Sequence, residues 1–191
     1  WHLGDQPPFL PTRHGFDEFF GAPYSEDMVP NESRPHWPPL PLMRDETVVE
    51  APADREHLTR RYTEESIRFI RANAHRPFFL YLPLHAVHPP IRGKPEAIER
   101  WREEGFRDPE FAAILEDVDR CVGAILDELE RLELLPSARL MVLSHAGRFA
   151  RAMWQHRIKA EGLDPEAWKE RPEAPLALSV VTSSTERPHY V

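Results

Sequence analysis

Two stretches of this chain repeat apolar residues at helical spacing, and the stronger begins at Asp108-Pro109-Glu110. After that N-cap, first-turn proline and early acid, Phe111, Ile114, Leu115, Val118, Val122, Ile125, Leu126, Leu129 and Leu132 recur every three or four positions, which predicts a helix stopped by Pro136. The other stretch predicts a helix from Arg55 to Ala72: Asp54 caps it, Leu58, Tyr62, Phe69 and Ile70 mark one face, Glu64 and Glu65 precede Arg68 at helical spacing, and Asn73 ends it. Each helix is followed by a short unbroken apolar run. Phe78-Phe79-Leu80-Tyr81-Leu82 lies between Pro77 and Pro83, and Leu140-Met141-Val142-Leu143 follows Pro136. Without polar alternation, such runs suit strands covered on both faces. Helix, strand, loop, helix, strand is the grammar of an α/β fold with a mostly parallel sheet flanked by helices.

The segments on either side break this grammar. Ten of the 21 prolines fall in the first 52 residues, so Trp1 to Pro52 is predicted to be a long irregular segment of loops and turns. Phe9, Leu10, Phe16, Phe19, Phe20, Tyr24 and Trp37 give it too much apolar surface to leave in water, so it is expected to pack onto a neighbouring body. Beyond about residue 147 the pattern fades. Arg148 to Ile158 suggests a helix and Leu176 to Val181 a strand. The expected division is therefore 1–147 for the α/β body and 148–191 for a divergent tail.

Composition narrows the function classes. At 191 residues a single domain buries roughly 70% of its unfolded surface, and one cysteine rules out an internal disulfide scaffold. No run approaches the ~18 apolar residues of a membrane span, and Trp1-His2-Leu3-Gly4 lacks the basic start and apolar run of a targeting segment. Neither a membrane nor nucleic acid is expected as a partner, since a net charge of −8 opposes phosphate neutralisation. A chain that opens on Trp1 reads as a piece of something longer.

Open α/β sheets bind ligands beyond the carboxyl ends of their strands, which singles out Leu84-His85-Ala86-Val87-His88-Pro89-Pro90 and Ser144-His145-Ala146-Gly147. His85 and His88 have two readings on their own: metal ligands or acid/base groups, or loop histidines bonded to backbone and water. His2 and His14 are open to the same two readings. Glycine-rich phosphate loops, a Gly-x-Ser-x-Gly elbow and paired zinc cysteines are all absent from the sequence. Cys121 falls near the apolar face of the stronger helix and reads as a small core residue.

Several segments taken together resemble the sulfatase family, of the arylsulfatase A and N-acetylgalactosamine-6-sulfatase kind. They are Trp1-His2-Leu3-Gly4, then Pro11-Thr12-Arg13-His14-Gly15-Phe16-Asp17-Glu18-Phe19-Phe20-Gly21, then Pro77 to Leu82 leading to His88-Pro89, and finally Asp119 to Leu129 with the Leu140 to Ser144 run. The resemblance implies part of an alkaline-phosphatase-like domain and hydrolysis of sulfate esters, with an aryl or sugar sulfate as partner. It also implies a formylglycine nucleophile made within Cys/Ser-x-Pro-x-Arg, and a Ca²⁺ ion, whose charge suits the sulfate oxygens. By the same resemblance His2 lies beside the nucleophile, and His88 contacts the sulfate and protonates the leaving oxygen. Family members are commonly periplasmic, secreted or lysosomal.

The departures carry equal weight. No Cys/Ser-x-Pro-x-Arg string occurs in the 191 residues. Where the family has the calcium ligands of Ser-Asp-Asn-Gly, this chain has Ser144-His145-Ala146-Gly147, and neither alanine nor a neutral imidazole suits Ca²⁺. The leading expectation is thus a truncated or degenerate sulfatase, through a frame error or decay, that does not bind Ca²⁺ and is not competent alone. The alternative is a noncatalytic module in which His2, Arg13, His14 and His88 hold sulfate or a sulfated sugar. A two-metal phosphoester or phosphonate hydrolase of the same superfamily ranks last, because only His88 and His145 are at hand as ligands.

Overall fold

The computed structural model describes residues 1–138 and the backbone of 141–144 and 179–182. The chain divides into two compact units, Trp1–Ile125 and Leu126–Val191. Within the first, the proline-rich segment carries more order than its composition suggests. Strands β1 (Phe20–Gly21), β2 (Leu42–Arg44) and β3 (Thr47–Glu50) form an antiparallel sheet in that order. The turn between β2 and β3 puts Asp45 at a left-handed φ of 52°. Its short side chain tolerates that conformation and accepts the Phe19 N–H at 2.9 Å, fastening the turn to β1.

One turn of 3-10 helix, Arg55–His57, leads into α1 (Leu58–Asn73), within a residue of the predicted ends. Asp54 caps the start by accepting the Glu56 N–H at 3.2 Å. Helix α1 lays Leu58 and Tyr62 into a core with Ala22, Leu40, Leu42 and Ala53, so the irregular segment packs on this helix as expected. Charged pairs then fix the sheet against α1. Arg44 grips both oxygens of Glu65 at 2.6 and 3.1 Å, Arg61 reaches Glu50 at 2.6 Å, and Arg68 joins Glu65 and Glu18, each at 2.8 Å.

Helix α3 (Pro109–Arg131) follows the strong periodic pattern, and Asp108 accepts the Phe111 N–H at 3.1 Å. Cys121 is a buried free thiol on α3; burial pushes its ionisation up, which suits a core residue. Helix α2 (Pro95–Glu103) has no counterpart in the periodicity, because Ala97 is its one fully buried residue. Gly93, just before α2, lies so close to α3 that an added Cβ would stand 2.8 Å from the Ala113 Cβ and 3.2 Å from Ile98.

The predicted Phe78–Leu82 strand is corrected by the structure. These residues belong to no strand, and Phe79 and Tyr81 are 74% and 54% exposed. An apolar run forms a buried strand only where neighbours supply ladder hydrogen bonds and cover both faces, and the described residues provide neither. The described elements are the antiparallel sheet, the helices and one short parallel pair, and the mostly parallel sheet flanked by helices is not seen among them.

That pair belongs to the second unit: β4 (Met141–Ser144) runs parallel to β5 (Ser179–Thr182), with Met141 opposite Ser179. β4 matches the predicted strand and β5 overlaps the other. Helix α3 ends before Pro136, and Glu133 just beyond it has a left-handed φ of 58°. The expected helix at 148–158 and the division at 147/148 lie outside the described residues. No described helix is long and apolar enough to cross a membrane.

Gly93→Ala is expected to destabilise the chain by about 1–3 kcal/mol, the usual cost of overpacking. The urea unfolding midpoint measures this, and an unchanged midpoint would contradict the close packing.

Candidate functional site

The turn Tyr24-Ser25-Glu26-Asp27 gathers the histidines of the first unit. His2, exposed and at a left-handed φ of 78°, donates its backbone N–H to the Pro23 carbonyl at 2.8 Å. His85 lies under the same turn. Its Nε2 stands 3.1 Å from the Tyr24 carbonyl, which can only accept, so Nε2 carries the proton. Nδ1 is then the acceptor for the Tyr62 hydroxyl, at 3.3 Å, and that oxygen in turn accepts the Ala22 N–H at 3.2 Å. The Tyr62 and His85 rings stack at 5.8 Å. Burial holds His85 below the ordinary histidine range and pushes Tyr62 up to about 12, so both are neutral at pH 7.

His88 sits one turn further on, exposed, with its N–H donated to the His85 carbonyl at 2.8 Å. Its Nδ1 is 2.5 Å from the Pro89 carbonyl and must be the donor there, which leaves Nε2 as the second ring position. His2 and His88 both act electrostatically on Asp27 and on His85. The backbone of His2 is thus fastened to the residue before Tyr24, and that of His88 to the histidine beneath the turn. Arg13 and His14 are engaged differently: Arg13 pairs with Glu46 at 2.7 Å, and His14 packs on Trp1 and reaches the Pro8 carbonyl at 3.1 Å.

The periodic pattern gave no sign of Glu26. Its side chain is 3% exposed, its Oε2 has no hydrogen-bond partner, and burial raises its ionisation despite Arg92, Arg55 and His88 nearby. Arg55 donates to the Glu26 backbone carbonyl at 3.1 Å, and the Nε of Arg92 is likewise buried without a partner. Asp27 differs: bonding from the Ser25 side chain, then from its own backbone N–H, and least from His88 and His2, holds its carboxylate below the usual range. An apolar cavity of about 140 Å³ adjoins His85, walled by Trp1, Phe16, Tyr62 and Tyr81.

The sulfatase family model matches residues 1–167. The chain belongs to the sulfatase family. It is 33% identical over 158 residues to arylsulfatase G of Canis lupus familiaris, covering 69% of this chain and 28% of that protein. It is 30% identical over 158 residues to N-acetylgalactosamine-6-sulfatase of Homo sapiens, covering 77% of this chain and 29% of that one. The chain thus spans under a third of the length of these sulfatases. Two solved structures, "Crystal structure of Ps i-CgsB" and the same protein in complex with k-i-k-neocarrahexaose, align with a TM-score of 0.54 and 25% identity over 71% of this sulfatase chain and 33% of theirs. An α/β sulfatase fold accords with these matches.

Sulfatases are generally calcium-dependent. Among the described residues no group of three or more His, Cys, Asp or Glu is arranged to hold a metal, and the buried Glu26 lies near Arg55 and Arg92. His145 and Ala146, expected at the positions of the family's calcium ligands, lie outside the described residues.

A histidine held below its unfolded value stays neutral in the fold while the unfolded chain gains a proton. The stability His85 contributes is therefore complete above about pH 6.5 and is lost as pH falls toward its folded value. His85→Gln, which keeps an amide donor and acceptor but does not titrate, is expected to flatten the fall in urea midpoint between about pH 7 and 5.5. Parallel profiles for the two proteins would contradict this burial.

Proposed function

We propose that this chain is part of a sulfatase acting on aryl or sugar sulfate esters, and that His2 and His88 form the sulfate-facing side of its site. The observation that carries the reading is the anchoring of both residues at one turn, His2 by its N–H on the Pro23 carbonyl and His88 by its N–H on the carbonyl of His85, which lies under Tyr24, in the segments where the family resemblance assigns sulfate contacts. The chemistry is simple. An imidazole whose Nδ1 is tied to a carbonyl, as in His88, directs Nε2 outward. When that nitrogen is protonated, it can neutralise a sulfate oxygen or give its proton to the departing alkoxide or phenoxide. His2, held by the Pro23 carbonyl through its own N–H, adds a second imidazole on the same turn. His85 is the positioning group beneath them, neutral and bonded at both nitrogens.

Sulfuryl transfer also needs a nucleophile, and none of the 191 residues lies in a Cys/Ser-x-Pro-x-Arg string; Cys121 is buried in α3. The chain by itself accordingly binds sulfate esters and leaves them intact. That the family hydrolyses such esters supports the substrate class, and the complex of Ps i-CgsB with k-i-k-neocarrahexaose supports a sugar in preference to a simple aryl group.

Incubated with an aryl sulfate and Ca²⁺, the isolated chain is expected to show no turnover above the buffer rate. Calorimetry with a singly sulfated monosaccharide is expected to show millimolar binding that falls at least fivefold in His88→Ala. Turnover that disappears in His88→Ala would show that the chain is competent, and a flat titration would remove the sulfate-facing role.

A further inference from the structure

Beside the histidine turn lies a second cavity, of about 300 Å³, walled by Glu56, His57, Arg60, Arg92, Lys94 and Glu96. Four of these six side chains are basic, in a chain whose net charge is −8. A volume near 300 Å³ is at the small end for ligand sites, enough for one charged substituent and part of a sugar ring. The rim is built and not merely draped. Gly93 is pressed against α3 with no room for a side chain, which fixes the backbone between Arg92 and Lys94. Lys94 is tethered to Asp117 of α3 at 3.4 Å, and His57 to Asp54 at 2.8 Å. Arg92 is the exception: its Nε is buried and has no hydrogen-bond partner, an arrangement that normally calls for one.

The cavity connects to the proposed sulfate site through Glu26. That buried carboxyl is within electrostatic reach of both His88 and Arg92, and Arg55 holds its backbone. Arg92 is four positions after His88, a span of at most roughly 14 Å even for extended chain. Two anion-attracting sites at that separation match a ligand with charges on adjacent sugar rings better than a lone aryl sulfate.

We propose that this cavity is a second anion subsite, which takes the sulfate or carboxylate of the sugar ring next to the one held at His2 and His88. The inference rests on the reading of those histidines as the sulfate-facing side, and it narrows the substrate class to polyanionic oligosaccharides. Arg92, Arg60 and Lys94 are then specificity-determining residues, while Glu56 and Glu96 limit how tightly the anion is held.

The test compares two probes by calorimetry on the full chain: a singly sulfated monosaccharide and a disaccharide with one sulfate on each ring. The disaccharide is expected to bind about tenfold more tightly. Arg60→Gln, an exposed position whose other partner is Glu64 in the same helix, should weaken the disaccharide about threefold, the scale of one exposed ion pair, and leave the monosaccharide unchanged. Glu96→Gln should strengthen the disaccharide about twofold, a gain that misfolding cannot imitate. Equal affinity for the two probes, or equal effects of Arg60→Gln on both, overturns the subsite. If the monosaccharide binds and depends on His88 while the disaccharide gains nothing, the subsite fails and the histidine site stands. If only the disaccharide binds and Arg60→Gln weakens it, the cavity is upheld and the histidine site fails.

Discussion

The geometry of the site depends on one buried hydroxyl. Tyr62, on α1, accepts the Ala22 N–H at the end of β1 and donates to His85 on the loop before His88. Three segments far apart in sequence are thereby held to one oxygen. Because the group is buried, each of these bonds lacks competition from water, and loss of the oxygen would strand two polar groups at once. The stacking of Tyr62 on His85 and the packing of Leu40, Leu42 and Leu58 around it make the same junction the centre of the core.

From that junction the site is built outward in layers of increasing exposure. His85 is neutral and doubly bonded; Tyr24 and Pro23 supply backbone carbonyls to His85 and His2; and His2 and His88 stand at the surface with imidazoles available to an anion. Glu26 lies to one side, its charge opposed by burial and favoured by Arg92, Arg55 and His88. The arrangement separates a dry, hydrogen-bonded support from an exposed face.

What the sequence made legible follows from how far each signal reaches. Helix α3 was readable because its burial recurs along the whole helix, and α1 because Asp54 and Asn73 mark its ends. Helix α2 was not, since its single buried residue, Ala97, makes no period. The Phe78 run failed for a different reason: an apolar run specifies that it will be covered but not by what, and the partner strands are set by tertiary structure. The small β1–β2–β3 sheet was hidden by the prolines around its strands and by a turn at Asp45-Glu46 without the glycine that usually announces a hairpin. The roles expected of His2 and His88 came only from the family motif around them. Glu26 left no trace in any pattern, because a buried charge is revealed by its surroundings.

The exposed Phe78–Leu82 segment has a practical meaning for anyone handling the isolated polypeptide. A stretch rich in aromatics, flanked by prolines and without ladder partners among the described residues, leaves Phe78, Phe79 and Tyr81 open to association with other apolar surfaces. Self-association through these exposed side chains should grow with concentration, so dilute samples carrying mild solubilising cosolutes suit the isolated polypeptide.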